Sequence, residues 1–205
     1  IAPVRLSDSL TVERDEEVDK YRVNEMFRKA ISNTPTYPES EEEGAPKCSL
    51  VSPLNSAKYA SGGGLVLLTD EEGLEELKVD PLARVLGYFE ASGSEPKHFI
   101  LKPEEAIGDG LAALGLSWKD LDHIEDNAAF AVGPCLLMKE RGIERNRMNR
   151  HGDAIAHGHA IGGTGGSLAV KAVDISLQDG DKYYAVAVCH AVDEGGAMFF
   201  ENPYA

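Results

Sequence analysis

His157 and His159 flank Gly158 in the stretch N-R-H-G-D-A-I-A-H-G-H-A-I-G-G-T-G-G, which runs from Asn149 to Gly166. Glycines follow at 162, 163, 165 and 166, and beyond them Leu168, Ala172 and Ile175 recur at helical spacing. Glycines ahead of such a stripe let the backbone approach another group closely and leave unpaired N–H groups at the helix start. That end carries partial positive charge and suits an anion or a developing oxyanion. A histidine on the incoming loop can donate to the same charge. The residues fit equally a tight turn holding a solvated or core histidine. A metal site would need His151, His157 and His159 to converge, but glycine between the last two does not aim them at one ion. No Cys or carboxylate stands at finger spacing either, so no metal is assigned.

The elements that position this loop alternate. Residues 1–12 are extended, with Pro3 against a helix, and Asp15 to Ala30 reads as a surface helix. Thr34 to Pro46 is a polar loop with the acidic run E-S-E-E-E-G. Leu65 to Leu68 reads as a short buried strand, and T-D-E-E-G-L-E-E-L as a helix capped by Thr69 or Asp70. A strand over Leu82 to Glu90, a helix over Pro103 to Leu114 and a strand at H-I-E-D follow. From Ala128 the chain reads as a helix that Pro134 shortens or kinks, with Cys135 on its apolar face as a buried thiol. Trp118 reads as a packing residue at a helix start, and His98 and His190 as surface or structural. After the glycine-led helix, Y-Y-A-V-A-V-C and G-G-A-M-F-F-E close tightly on each other. Helices alternating with strands and ending in a hairpin make an α/β layered domain.

Lys and Arg number 20 against 35 Asp and Glu, a net charge of −15, which argues against nucleic-acid and anionic-membrane partners. No apolar run approaches spanning length, and no signal-peptide pattern follows Ile1. Cys48, Cys135 and Cys189 are odd in number and widely spaced, as free thiols of a reducing, cytoplasmic compartment would be.

Three loops in order carry a resemblance: Asn127 in D-N-A-A-F-A, His159 in A-H-G-H-A-I-G-G-T-G, and Cys189 in V-C-H-A-V-D-E-G-G-A-M-F-F-E. Order and spacing resemble the C-terminal half of thiolases, whose signatures are N-E-A-F, G-H-P and C-x-G. P-L-A-R-V-L-G-Y and L-S-W-K-D-L-D-H-I-E match in context, so the likeness covers Asn55 to Glu201, about seven tenths of the chain. The resemblance implies a βαβαβαββ layered half, a mixed sheet covered by helices, over 53–205, with 1–52 as an extension. It implies an acyl-CoA C-acyltransferase that cleaves a 3-ketoacyl-CoA with coenzyme A or runs the Claisen condensation in reverse. His159 and Asn127 would hold the thioester oxygen, Asn127 through a water, and Cys189 would be the acid/base thiol. The backbone N–H of Ala191 would help form a second oxyanion hole. Ser56, Phe99, Ala129 and Phe130 would contact acyl-CoA, which is substrate; no cofactor is held permanently.

Departures accompany the likeness. Ala160 replaces the proline of G-H-P, Ala128 the glutamate of N-E-A-F, and Ala191-Val192-Asp193-Glu194 the glycine run after the thiol. Asp193 and Glu194 would raise the Cys189 pKa if they pointed inward. N-S-A-K-Y-A-S-G-G stands where the family's pantetheine-binding stretch lies. No nucleophile elbow precedes Cys48, and I-A-P-V resembles the family's exit from its N-terminal half. The acyl-carrying cysteine is therefore expected on an N-terminal-type partner chain, in a hetero-oligomer such as a dimer of heterodimers, with a fragment of a nicked longer protein as the other possibility. A catalytically altered, thiolase-like binding or regulatory subunit is the alternative. Half of a duplicated fold would also expose a large apolar face, so the chain is not expected alone in solution.

Overall fold

The computed structural model describes strands at 4–7 and 10–12 and all of 51–205. The helix expected over Asp15 to Ala30, the acidic loop and Cys48 lie outside the described residues. Strands β1 (Val4–Ser7) and β2 (Leu10–Val12) pair antiparallel, as the extended reading of this stretch requires. Helix α1 (Glu71–Leu77) is capped by Asp70, whose carboxylate accepts from the Gly73 N–H at 2.9 Å.

The Leu65–Leu68 run is not the buried strand its composition suggests. It forms no strand, and Leu65 is 92% and Leu67 79% exposed. Apolar composition favours burial but supplies no partner edge, and here no described strand pairs with the run.

The main sheet is built from β3 (Arg84–Ser92), β4 (His123–Asp126), β5 (Tyr183–His190) and β6 (Glu194–Glu201), in the order β3-β6-β5-β4. Only β4 and β5 run parallel; β5–β6 and β3–β6 are antiparallel, so the sheet is mixed. Beyond β4, Met148 makes a single parallel bridge to Ile124. Helices α2 (Lys102–Leu114), α3 (Val132–Arg141), α4 (Ala154–His157) and α5 (Thr164–Asp179) fill the crossovers. The order is βαβα, then the Met148 bridge in the place of a third strand, then αββ.

Period-two alternation divides the core. Ala185, Ala187 and Phe199 face the side of α2 with Ile107, Leu111 and Ile124, whereas Tyr184, Val186 and Phe200 pack with Leu168 and Ala172 of α5. Gly110 lets α2 lie close: a Cβ there would sit 2.3 Å from the Phe199 ring. The stripe Leu168, Ala172 and Ile175 is buried, as its spacing requires.

Three local expectations change. Helix α3 begins at Val132, so Pro134 falls in its first turn and introduces no kink. Cys135 is exposed, not a core thiol. It lies about 200° around the helix from Leu137, which α3 buries along with Gly133 and Pro134. Trp118 sits in a turn and not at a helix start, packed against the core with the Arg141 guanidinium 5.2 Å from its ring centre.

On the α5 side much apolar surface stays uncovered: Val85 and Tyr88 of β3, and Val170 and Leu177 on the flank of α5 that turns from the sheet.

His123 begins β4 fully buried, its Nδ1 2.7 Å from Asp181 Oδ2 and its ring stacked 5.0 Å from Tyr184. Burial pushes its pKa down to about 4 against the opposing pull of Asp181. The unfolded chain takes up this proton near pH 6.5, the folded protein only near 4. Stability is therefore full above about pH 6.5 and falls as the pH drops toward 4. At about 1.4 kcal/mol per pH unit the loss is about 3 kcal/mol. Urea unfolding at pH 7 and pH 4.5 measures it, and an unchanged pH dependence in His123→Asn would assign the loss elsewhere.

Candidate active site

Asn127 extends the β4–β5 pairing one residue past β4, its N–H donating to Ala187 O at 3.0 Å. The next residue, Ala128, is left-handed at φ 42°. Asp126 closes this turn, its Oδ1 accepting from the Ala128 N–H at 2.7 Å. Asn127, 3% exposed, thereby faces Cys189 on β5 at two points. Its Nδ2 donates to Sγ at 3.4 Å, and its Oδ1 accepts from the Cys189 N–H at 3.3 Å. Burial pushes the half-buried Cys189 thiol up, the Asn127 donation opposes this, and the charge of Asp126 adds to it.

The charges expected to act on Cys189 were Asp193 and Glu194; the structure points both elsewhere. Asp193 Oδ2 accepts from the Glu95 N–H at 2.8 Å, and its other oxygen lies 3.9 Å from Lys102 Nζ. Glu194 is exposed and pairs with His190 at 3.4 Å. Asp193 also takes the left-handed position of the β5–β6 turn, at φ 64°. Ala191 is exposed on that turn and outside the positive-φ region, so its Cβ meets no backbone conflict.

His159 leaves α4 through Gly158, at φ 90°, where a Cβ would lie 2.6 Å from that of Ala60. Its N–H donates to Lys58 O at 2.7 Å, and its carbonyl accepts from the Ala60 N–H at 3.2 Å. The ring Nδ1 lies 2.9 Å from Thr164 Oγ1, and that hydroxyl donates its one hydrogen to Ala160 O at 2.7 Å. Thr164 can then only accept from Nδ1–H, which leaves the Nε2 lone pair free on a neutral ring. Burial lowers the His159 pKa and favours the same neutral form. His157 is exposed and engages Gly158 O at 3.0 Å, away from this arrangement. Among the described residues no three His, Cys, Asp or Glu side chains gather as a metal site would need.

The glycines at the start of α5 do permit a close approach, but to the chain itself. A Cβ on Gly64 would lie 2.2 Å from the Gly166 carbonyl carbon, and one on Gly163 would lie 2.3 Å from Gly62 O. An open groove of about 550 Å³ runs between 60–64 and 160–163 beside His159.

Segment 55–60 ties the asparagine loop to the histidine loop. Ala57 N–H donates to Ala129 O and Ala131 N–H to Asn55 O, both at 2.9 Å, before the same segment reaches His159. Ser56 bridges Phe130 through the backbone while its hydroxyl donates to Ser52 O at 2.7 Å. Phe99 meets Phe130 edge to face at 6.3 Å, both half-buried.

Two residues of the site escaped sequence reading. Thr164 lies five residues beyond His159 at the first position of α5, a placement that G-G-T-G-G hints at only once the helix start is fixed. Asp126 looked like part of a strand, although an Asp two residues ahead of a left-handed position is a turn signal.

Known proteins resemble this chain in sequence and in fold. A family model described as thiolase, C-terminal domain, matches residues 79–202. The mitochondrial 3-ketoacyl-CoA thiolase of Rattus norvegicus is 31% identical over 186 residues, covering 91% of this chain and 45% of the relative. The acetyl-CoA acetyltransferase of Synechocystis is 34% identical over 149 residues, 72% of this chain and 37% of the relative. The crystal structure of human mitochondrial 3-ketoacyl-CoA thiolase superposes with a TM-score of 0.77 at 24% identity, over 98% of this chain and 48% of that one. This chain thus spans less than half the length of the relatives it matches. With the matched domain and the fold in agreement, the chain belongs to the thiolase family and covers the C-terminal half of its members.

Proposed function

We propose that this chain supplies the C-terminal loops of a thiolase-type acyl-CoA C-acyltransferase whose acyl-carrying cysteine lies on an N-terminal half. The observation that carries the reading is the two-point contact of Asn127 with Cys189 at the end of the parallel strand pair. Segment 55–60 links this pair to a His159 ring whose tautomer Thr164 fixes. A neutral imidazole with a free Nε2 is a base. It takes the proton of an incoming thiol, and the resulting Nε2–H then donates to the thioester oxygen. Cys189 removes or returns the proton at the acyl α-carbon, and the Ala191 N–H helps form a second oxyanion hole. Phe99 and Phe130 flank the acyl or pantetheine path near Ala129 and Ser56. Acyl-CoA is substrate, and no group stays bound between turnovers. The uncovered apolar surface of β3 and α5, together with Leu65–Leu68, is where the other half would pack.

The protein assembled with a thiolase N-terminal half is expected to cleave a 3-ketoacyl-CoA with coenzyme A, and the isolated chain is not. Native mass identifies the assembly, and thioester loss with time measures the reaction. Thiolysis by the isolated chain, or none by the assembly, overturns the proposal. The second reading, a catalytically altered binding subunit, draws on Ala128 standing where the motif has glutamate and on the unfavourable charge of Asp126 beside Cys189.

A further inference from the structure

Asp126 is 4% exposed, and its carboxyl group takes no part in the proton transfers proposed above. It sits where β4 ends, between the core and the asparagine loop. Its N–H donates to Asn149 Oδ1 at 2.7 Å, while its own Oδ1 accepts from the Ala128 N–H at 2.7 Å. Ala128 has no side chain that stabilises a left-handed backbone, so the turn depends on what closes it. The turn brackets Asn127, whose amide meets both the Sγ and the N–H of Cys189. The motif carboxylate that would follow the asparagine is absent, and an acid precedes it instead.

We propose that Asp126 is a further positioning residue of this site: its carboxyl closes the turn that aims Asn127 at Cys189, and its negative charge, when present, opposes a thiolate there. The inference rests on Cys189 being a proton carrier in the proposed reaction. The other groups that bear on Asp126 are Glu125 on its own strand and Asp153 ahead of α4, both acidic. Glu125 is offset by Lys171 of α5, whose Nζ lies 2.6 Å away. Burial is the main influence on Asp126 and pushes it up to about 7, with the Ala128 N–H opposing. Below that pH Asp126 is neutral; above it, where the thiol ionises, it is a carboxylate.

Asparagine closes the same turn without the charge, so the two parts of the proposal separate. The test is the pH profile of iodoacetamide alkylation at Cys189 in the full chain, followed by peptide mass so that Cys48 and Cys135 are resolved. Asp126→Asn is expected to move the midpoint to lower pH and to raise the rate at pH 8 about threefold or more. A midpoint that stays in place or rises overturns the electrostatic part. Asp126→Ala, equally uncharged but unable to close the turn, is expected to raise the high-pH plateau above that of Asp126→Asn as Asn127 loses its hold on the sulfur. Equal plateaus overturn the positioning part. Should Asp126→Asn not fold, Asp126→Ser closes the turn through its hydroxyl and replaces it. Alkylation needs no turnover, so a shifted profile alongside failed acyl transfer sinks the proposed reaction and not the part played by Asp126.

Discussion

Replacing His159 by Ala is expected to lower kcat of the assembled enzyme about 10²- to 10⁴-fold, with a much smaller change in KM. The range is what one positioned acid/base or one oxyanion donor contributes, and here one ring serves both duties in sequence. Its neutral state is set by burial and its tautomer by Thr164, whose hydroxyl is committed to Ala160 O. Thr164→Val keeps the shape of the side chain and removes the acceptor for Nδ1–H. It is expected to cost about tenfold in kcat, because the ring can then place its proton on Nε2 and lose its basic lone pair. Steady-state thiolysis of a 3-ketoacyl-CoA measures both. Wild-type turnover in His159→Ala would remove this histidine from the chemistry.

Cys189→Ser carries the second large effect, a loss of about 10²- to 10⁴-fold in the steps that move a proton at carbon. A serine hydroxyl is far less acidic than a thiol, so it cannot hold the proton-deficient state that abstraction requires. The loss is specific to those steps. Exchange of the acyl-CoA α-hydrogens with deuterated water should collapse, whereas loading of the acyl group onto the other half's cysteine should survive. Loss of both together would point to a damaged fold. Retained exchange would pass the acid/base role to another group.

Much of the layered fold is legible in the sequence because it rests on short-range signals. Alternation in β5 and β6, the apolar stripe of α5, and the cap at Asp70 each depend on residues a few positions apart. The Leu65–Leu68 run was misread because composition states a preference for burial and says nothing about a neighbouring edge. Cys135 was misread because α3 turns Leu137 and not Cys135 to the core, a choice of face that its composition leaves open. In the site, the three loops could be named by motif, but what holds them could not. The Asp126 turn, the Thr164 contact and the inward fold of Asp193 depend on side-chain directions that spacing leaves open. Asp193 does point inward, but to the Glu95 N–H and Lys102 and not to Cys189, a direction that nearness in sequence does not set.

The backbone clasp between Gly62–Gly64 and Gly163–Gly166 is one of the long-range closures on which the fold depends. The partners are about a hundred positions apart, and segment 55–60 must also find the loop at 129–131, so closing these contacts forfeits the freedom of long loops. The β5–β6 hairpin and the packing of α2 on β3 are nearer neighbours and form at less entropic loss. The central β3–β6 pairing, Arg84 to Glu201, closes a loop just as long as the clasp does, so the sheet and the groove between 60–64 and 160–163 carry the same entropic cost and stand or fall together.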